Sequence, residues 1–215
     1  LLLIESQHQP DQTMNADIQA IKTAGQHLLG LINDVLDFTR LEAEKLDLHM
    51  HWFSINDLVA NLVNAVKPLA LKHGNTLHVY CPPDCGELYS DSTRVRQVLL
   101  NVLGNAVKFT DHGQIELHVT HTPATLLHDL EPTPAVIFTI RDTGIGMTPE
   151  QQLRLFQEFV QVDDSSTRKY GGSGLGLALS YRLTHLLGGE IHVTSVLGEG
   201  STFTITFPLE QRQMV

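Results

Sequence analysis

The period of the hydrophobic positions changes several times along the chain, and each change marks an element. Between residues 16 and 46, Ile18, Ile21, Leu28, Ile32 and Val35 recur at threes, fours and one seven, with Gly25 on the same seam. That spacing predicts one long helix with a coiled-coil-like stripe, widened by Leu29, Leu36 and Phe38. Residues 1–5 read as the end of an earlier helix. Residues 6–15, polar and holding Pro10, read as a connection. The run Arg40-Leu41-Glu42-Ala43-Glu44-Lys45 alternates charge and reads as a solvated surface. A helix this long with one apolar stripe needs partners. A dimeric bundle suits it better than a helix folded back on its own domain.

A second pattern begins near His49. His51-Trp52-Phe53 predicts a short strand, and Ser54 with Asp57 resembles a capping box at the start of a helix. That helix presents Leu58, Leu62, Val63, Val66 and Leu69 on one face, with Pro68 placed to kink it. Residues 76–80 and 88–89 read as strands. Asp91 or Ser92 caps the next helix, 94–108, whose apolar face is Val95, Val98, Leu99, Val102 and Leu103. Residues 114–120 alternate as a half-exposed strand. Residues 121–134, with three prolines, read as a hairpin loop, followed by a strand over 135–141. The apolar run 175–187 predicts a helix. Strands over 190–195 and 201–208 finish the fold, and residues beyond 210 read as frayed. Helices segregated from a mixed, partly antiparallel sheet predict an α+β fold, a two-layer α/β sandwich. The expected domains are 1–48, a partial helical hairpin, and 49–215.

Two glycine clusters bracket the most unusual stretch. Asp142-Thr143-Gly144-Ile145-Gly146-Met147 follows a strand, and Gly171-Gly172-Ser173-Gly174-Leu175-Gly176 precedes a helix. Glycines let a backbone turn sharply and approach a ligand, and N–H groups at such turns or at a helix start hold phosphate oxygens. Each cluster alone reads equally well as a turn. Neither is a Walker A loop, since no Gly-Lys-Ser/Thr follows, and neither forms a strand–GxGxxG–helix unit. On helix 94–108, Asn101 and Asn105 lie four apart on one face, and Lys108 is three further on. Two amide oxygens and an ammonium beside phosphate-binding glycines suit a magnesium–triphosphate, because amides bind a hard cation without repelling phosphates. As surface residues, the same three would be solvent-facing amides and a lysine near the helix C-terminal dipole.

Composition narrows the reading. Among 215 residues there are 24 acidic and 14 basic side chains, a net charge of −10, which disfavours a broad nucleic-acid surface. The 12 histidines are scattered without metal spacing. The only cysteines, Cys81 and Cys85, form neither a CxxC motif nor a structural zinc site. They read as a solvated or half-buried thiol pair in a reducing compartment. No signal peptide and no long apolar run is present. The chain opens within an apolar run and without methionine, as a piece of something larger would.

Motifs in a fixed order carry a resemblance. Asn101-Val102-Leu103-Gly104-Asn105-Ala106-Val107-Lys108-Phe109-Thr110 resembles the N box of sensor histidine kinases. Asp142 to Met147 resembles their G1 box, Leu155-Phe156-Gln157-Glu158-Phe159 the F box, and Gly172-Ser173-Gly174-Leu175-Gly176-Leu177 the G2 box. Gly198-Glu199-Gly200-Ser201-Thr202-Phe203 resembles the last glycine motif. The likeness runs from about residue 16 to 209. It implies a Bergerat-fold catalytic and ATP-binding domain behind a dimerisation bundle, with ATP and Mg2+ as cofactors. Asp142 is then the acceptor for the adenine amino group, with Gly144 and Gly146 close to the base. Asn105 would hold magnesium, with Asn101 beside it, and Lys108 would meet phosphate. Gly172, Gly174, Leu175 and Gly176 would wrap the phosphates, and Phe156 and Phe159 would pack the lid root. Thr202 would reach the adenine side. Arg168 would help at the γ-phosphate, a role for which Lys169 competes.

The family's phosphorylated histidine sits in the first bundle helix before an acidic residue and an Arg-Thr-Pro run. His8 and His27 lack that context, so the acceptor is expected upstream of Leu1. The resemblance implies a homodimer through the bundle, a response-regulator receiver domain as partner, and no nucleic acid. It places this part on the cytoplasmic side, without membrane contact of its own, in a membrane-anchored parent. Two other functions stay open: an ATPase like gyrase, heat-shock chaperones or mismatch-repair proteins, which place a glutamate base where Asn101 stands, and a non-catalytic interaction module.

Overall fold

The computed structural model describes residues 10–43, 45–124, 133–157 and 174–210. The chain divides into two compact units, Leu1–Leu46 and Asp47–Val215. In the first, α1 (Pro10–Glu42) is a single helix of 33 residues. It starts within the stretch expected as a connection, because proline is favoured in a first helical turn and the polar residues after it do not break a helix. It also stops four residues short of the expected end. Ile18, Ile21, Leu28, Ile32 and Val35 are all exposed along it. No helix among the described residues is long and apolar enough to cross a membrane.

The second unit is a two-layer α/β sandwich. Its elements are β1 (His51–Ser54), α2 (Ile55–Lys72), β2 (Thr76–Tyr80), β3 (Glu87–Ser90), α3 (Ser92–Phe109), β4 (Gln114–Ala124), β5 (Thr133–Asp142), α4 (Pro149–Arg154), α5 (Gly176–Leu186), β6 (Glu190–Val196) and β7 (Gly200–Pro208). The main sheet runs β2-β4-β5-β7-β6; β1 and β3 pair separately. β2 lies parallel to β4, and every other pairing is antiparallel. Alternation along the strands sends Ile115, Leu117, Val136, Phe138, Ile140, Ile205 and Phe207 into the core, each at most 1% exposed. These meet the apolar faces of α2, α3 and α5, including Leu62, Leu99, Val102 and Leu183. Glu116, His118, Thr139, Arg141 and Thr204 stand on the other, polar face.

The structure differs from the sequence reading in two places. β4 and β5 pair out to Ala124 and Thr133, so both ends of the expected 121–134 loop are strand, and residues 125–132 lie outside the described residues. Pro123 is tolerated because β2 ends opposite His118, leaving no neighbour on that edge to need its N–H. α2 runs to Lys72 with Pro68 inside it, as the apolar pattern predicted. α4 was not expected. Its signal was a capping box, in which Thr148 Oγ1 accepts from Gln151 N–H and Gln151 Oε1 accepts from Thr148 N–H.

One buried amide ties the helix layer to the sheet layer. Asn75, 2% exposed, donates from Nδ2 to the Thr110 carbonyl at 2.8 Å and the Val107 carbonyl at 3.3 Å. Its Oδ1 accepts from Gly113 N–H at 2.9 Å. It thus fixes the exit from α3 into β4. Asn75→Ala strands these backbone groups in a buried site, and should cost about 2–3 kcal/mol in urea unfolding.

Candidate functional site

The register of α3 is set at its first turn. Asp91, 3% exposed, accepts from Thr93 N–H at 3.0 Å and Arg94 N–H at 3.1 Å through Oδ1. Its Oδ2 takes His49 N–H at 2.9 Å. With the start pinned, Asn101, Asn105 and Lys108 follow down one side, all partly exposed, while Val98, Val102 and Ala106 turn inward.

At the Asn101 end, Nδ2 donates to Ser180 Oγ on α5 at 2.8 Å. Gly176 approaches the same amide so closely that a Cβ there would lie 2.6 Å from Asn101 Oδ1. Any larger residue would displace the Asn101 amide from this position. Leu175 stands at the N-cap of α5 and supplies no side-chain cap, so the first-turn N–H groups look for acceptors elsewhere. Gly174, just before it, takes φ +69. At the other end of α3, Lys108 Nζ lies 4.8 Å from the Phe109 ring centre, and burial lowers the lysine's pKa.

The C-terminus of α3 meets the first glycine cluster. The Phe109 carbonyl accepts from Ile145 N–H at 3.2 Å, and Ile145's own carbonyl takes Gly198 N–H at 2.7 Å. Gly146, at φ +62, lets the chain pass against the Val196 carbonyl, where a Cβ would collide. Met147 N–H donates to Ser195 Oγ at 2.9 Å, and Gln152 Nε2 to the Ser195 carbonyl at 2.9 Å. The loop is therefore stitched between α3 and the β6–β7 turn.

Asp142 sits at the centre of that stitching, 6% exposed. Its Oδ1 accepts from Gly144 N–H at 2.8 Å. Burial raises its pKa, and the N–H groups of Gly144 and Ser201 pull it partly back. The Thr110 hydroxyl also approaches this carboxylate, yet is buried without a partner of full hydrogen-bond geometry. A buried acceptor beside an unsatisfied hydroxyl suits the polar edge of a flat ring, or a water held between the two.

The structure thus brings Gly176, with Leu175 and Gly174 just before it, to Asn101 at the middle of α3, and the loop of Asp142, Gly144 and Gly146 to its C-terminal end, with Asn105 and Lys108 on the stretch of helix from one to the other. Thr202 is a correction. It pairs with Arg141, and Ser201 pairs with Asp142, so Thr202 stands on the opposite sheet face and Ser201 takes its place. The alternation carried this signal: Phe203, Ile205 and Phe207 are buried, which puts Ser201 in phase with them. Ser180 and Thr110 were also missed, since nothing local distinguishes a hydroxyl that bonds across the fold. Phe156 lies 5.1 Å from the Tyr181 ring of α5, consistent with an aromatic root for the segment between the glycine clusters. Arg168, Lys169, Gly172, Phe159, Glu158 and His8 lie outside the described residues, as does the side chain of His27.

The family described as histidine kinase-, DNA gyrase B-, and HSP90-like ATPase matches residues 90–211. The hybrid signal transduction histidine kinase B of Dictyostelium discoideum is 38% identical over 199 residues, 92% of this chain and 10% of that protein. The autoinducer 2 sensor kinase/phosphatase LuxQ of Vibrio parahaemolyticus is 34% identical over 218 residues, 99% of this chain and 24% of that protein. The chain thus spans a tenth to a quarter of these relatives. The crystal structure of full-length ShkA in complex with AMPPNP superposes with a TM-score of 0.74 at 32% identity, covering 94% of this chain and 40% of that one.

The raised pKa of Asp142 has a testable sign. A folded value above the unfolded one means that the folded chain holds a proton the unfolded chain has lost. The associated stability is fully present below the ordinary value of 3.8 and disappears as pH rises through the folded value. Compared with Asp142→Asn, the native chain should lose unfolding free energy as pH climbs through that window. Denaturant titrations of both proteins at stepped pH would show parallel curves if burial did not govern this group.

Proposed function

The chain belongs to the histidine kinase-, DNA gyrase B- and HSP90-like ATPase family, and we propose that it is the ATP-binding catalytic core of a sensor histidine kinase. In this reading it transfers the γ-phosphoryl group of ATP to a histidine imidazole on another helix, for relay to a response-regulator aspartate. The observation that carries it is Asn101. Its amide is bonded to Ser180 against the start of α5, and α3 from Ser92 to Phe109 contains no carboxylate. Phosphoryl transfer rests on positioning and charge neutralisation. A neutral imidazole attacks without first losing a proton, whereas water benefits from a base that an amide cannot supply.

The residues divide the work by chemistry. Asp142 offers an acceptor-only oxygen to the adenine amino group, which guanine lacks on that edge. Lys108 meets phosphate charge, and an anion beside it restores the ammonium that burial disfavours. The start of α5, with Gly174, Leu175 and Gly176, turns N–H groups toward phosphate oxygens. Among the described residues no group of three His, Cys, Asp or Glu side chains is placed to hold a metal. A magnesium ion would therefore take most of its ligands from the phosphates and water, with Asn105 adding one amide oxygen. Bound there, it would neutralise phosphate charge. Gly172 would complete the phosphate wrap, and Arg168 or Lys169 would assist at the γ-phosphate.

The apolar stripe of α1 supports a homodimeric bundle. A receiver domain as downstream partner and a membrane-anchored parent follow from the same reading.

Calorimetry should show magnesium-dependent ATP binding and weak GTP binding. Asp142→Ala should lose roughly ten- to hundredfold in ATP affinity, the worth of about 1.5–3 kcal/mol for a bond to a charged acceptor. Equal affinity for GTP would remove Asp142 from the adenine site.

Phosphate release under saturating magnesium–ATP should stay near that of Asn105→Ala. Fast turnover dependent on Asn105 would favour a hydrolase instead. With a separate histidine-bearing bundle helix, radiolabelled ATP should give acid-labile label on that helix and none on these 215 residues. Tight ATP binding without such label would mark a non-catalytic module.

A further inference from the structure

The connection from β2 to β3 brings the only two cysteines of the chain together. Cys81 Sγ and Cys85 Sγ are 3.1 Å apart, as free thiols. The approach is not a by-product of a loose loop. Asn56, in the first turn of α2, holds both sides of it. Its Nδ2 donates to the Pro82 carbonyl at 2.9 Å and reaches Cys81 Sγ at 3.6 Å, while its Oδ1 accepts Cys85 N–H at 3.2 Å. Beyond Cys85, the Gly86 carbonyl accepts Ile55 N–H at 3.1 Å. The backbone is thus clamped to α2 with the sulfurs already in contact, and a bond length of about 2.0 Å needs only a small side-chain shift. The two thiols also differ in access: Cys81 is partly exposed, and Cys85 is 1% exposed.

We propose that Cys81 and Cys85 form a covalent modification site, a thiol pair that a low-molecular-weight disulfide oxidises to a reversible intramolecular bridge. Cys81 attacks one sulfur of the external disulfide, forming a mixed disulfide and releasing one small thiol. Cys85 then attacks Cys81 Sγ. The internal S–S bond forms, the mixed bond breaks, and the second small thiol leaves. Two electrons pass from the cysteines to the external disulfide, and their two protons end on the released thiols. The order follows from access, since external reagents reach Cys81 and not Cys85. Burial first, then the neighbouring Cys81, push Cys85 up to about 12, which agrees with the exposed thiol attacking first and the buried one second. In the reduced state the pair is the half-buried pair of free thiols that the sequence suggests, and an external disulfide turns it into an exchange site. It does not depend on what the nucleotide pocket does.

The test uses the whole chain, reduced and then treated with oxidised glutathione. After quenching by denaturation and alkylation with iodoacetamide, intact mass should show loss of two hydrogens and no alkyl group, and dithiothreitol added before the alkylation should restore two alkylatable thiols. Cys85→Ser should instead accumulate a stable glutathione adduct on Cys81. Cys81→Ser should acquire neither adduct nor bridge, because its remaining thiol is buried. Thermal unfolding of each variant checks that it is folded. A native chain that stops at a stable adduct, links into disulfide dimers, or keeps two alkylatable thiols under conditions that modify Cys85→Ser would overturn the proposal. So would equal modification of both single variants while folded.

Discussion

Helix α3 is held at three points, and the candidate site exists only while all three hold. Asp91 fixes its first turn, Asn101 binds Ser180 on α5, and the Phe109 carbonyl receives Ile145 N–H from the first glycine cluster. The helix therefore acts as a strut between two segments far apart in sequence. Moving α3 by one residue would rotate Asn101 away from α5 and carry Val102 toward solvent, since successive residues turn by about 100°. Its apolar face, packed against the sheet, forbids that rotation. The polar face is thus specified by burial on the opposite side of the same helix.

The two ionisable groups at the site carry opposite charges yet share one physical condition. Burial pushes Asp142 up and Lys108 down, each toward its neutral form. Each has lost water on folding. A ligand that brings N–H donors to one end and negative charge to the other compensates both at once. On a chain with a net charge of −10, Lys108 also stands out as a local cation against the overall field. Affinity in such a pocket depends on this desolvation, because the same pair in open water would attract a nucleotide weakly.

What the sequence made legible is what is periodic or locally punctuated. The inward residues of β4, β5 and β7 announce themselves by alternation, and the caps at Ser54 and Asp91 by residue type. The glycine clusters were visible because their backbone demands are local. What the sequence concealed depends on partners chosen by the fold. Ser180 matters because α5 crosses α3 at that height, and Thr110 because the exit of α3 passes Asp142. Asn75 bonds 32 and 35 residues away, a distance no window reaches. Thr202 was misassigned for the opposite reason: the motif was read by residue type when strand parity, available from Phe203 and Ile205, already favoured Ser201.

The strut also bears on the choice between transfer and hydrolysis. A side chain at position 101 faces the start of α5, where phosphate charge would concentrate. A carboxylate there would serve a water nucleophile as base, and would also repel a triphosphate at short range. The amide gives up the base and removes the repulsion. Its orientation is not left to chance, because Nδ2 is engaged by Ser180 and Oδ1 is thereby turned toward Gly176. A larger residue at 176 would collide with that oxygen, so the glycine and the asparagine constrain each other. Nucleophile selection in the proposed reaction then rests on a pair of residues from two helices, and the chemistry at 101 is inseparable from the packing that holds it.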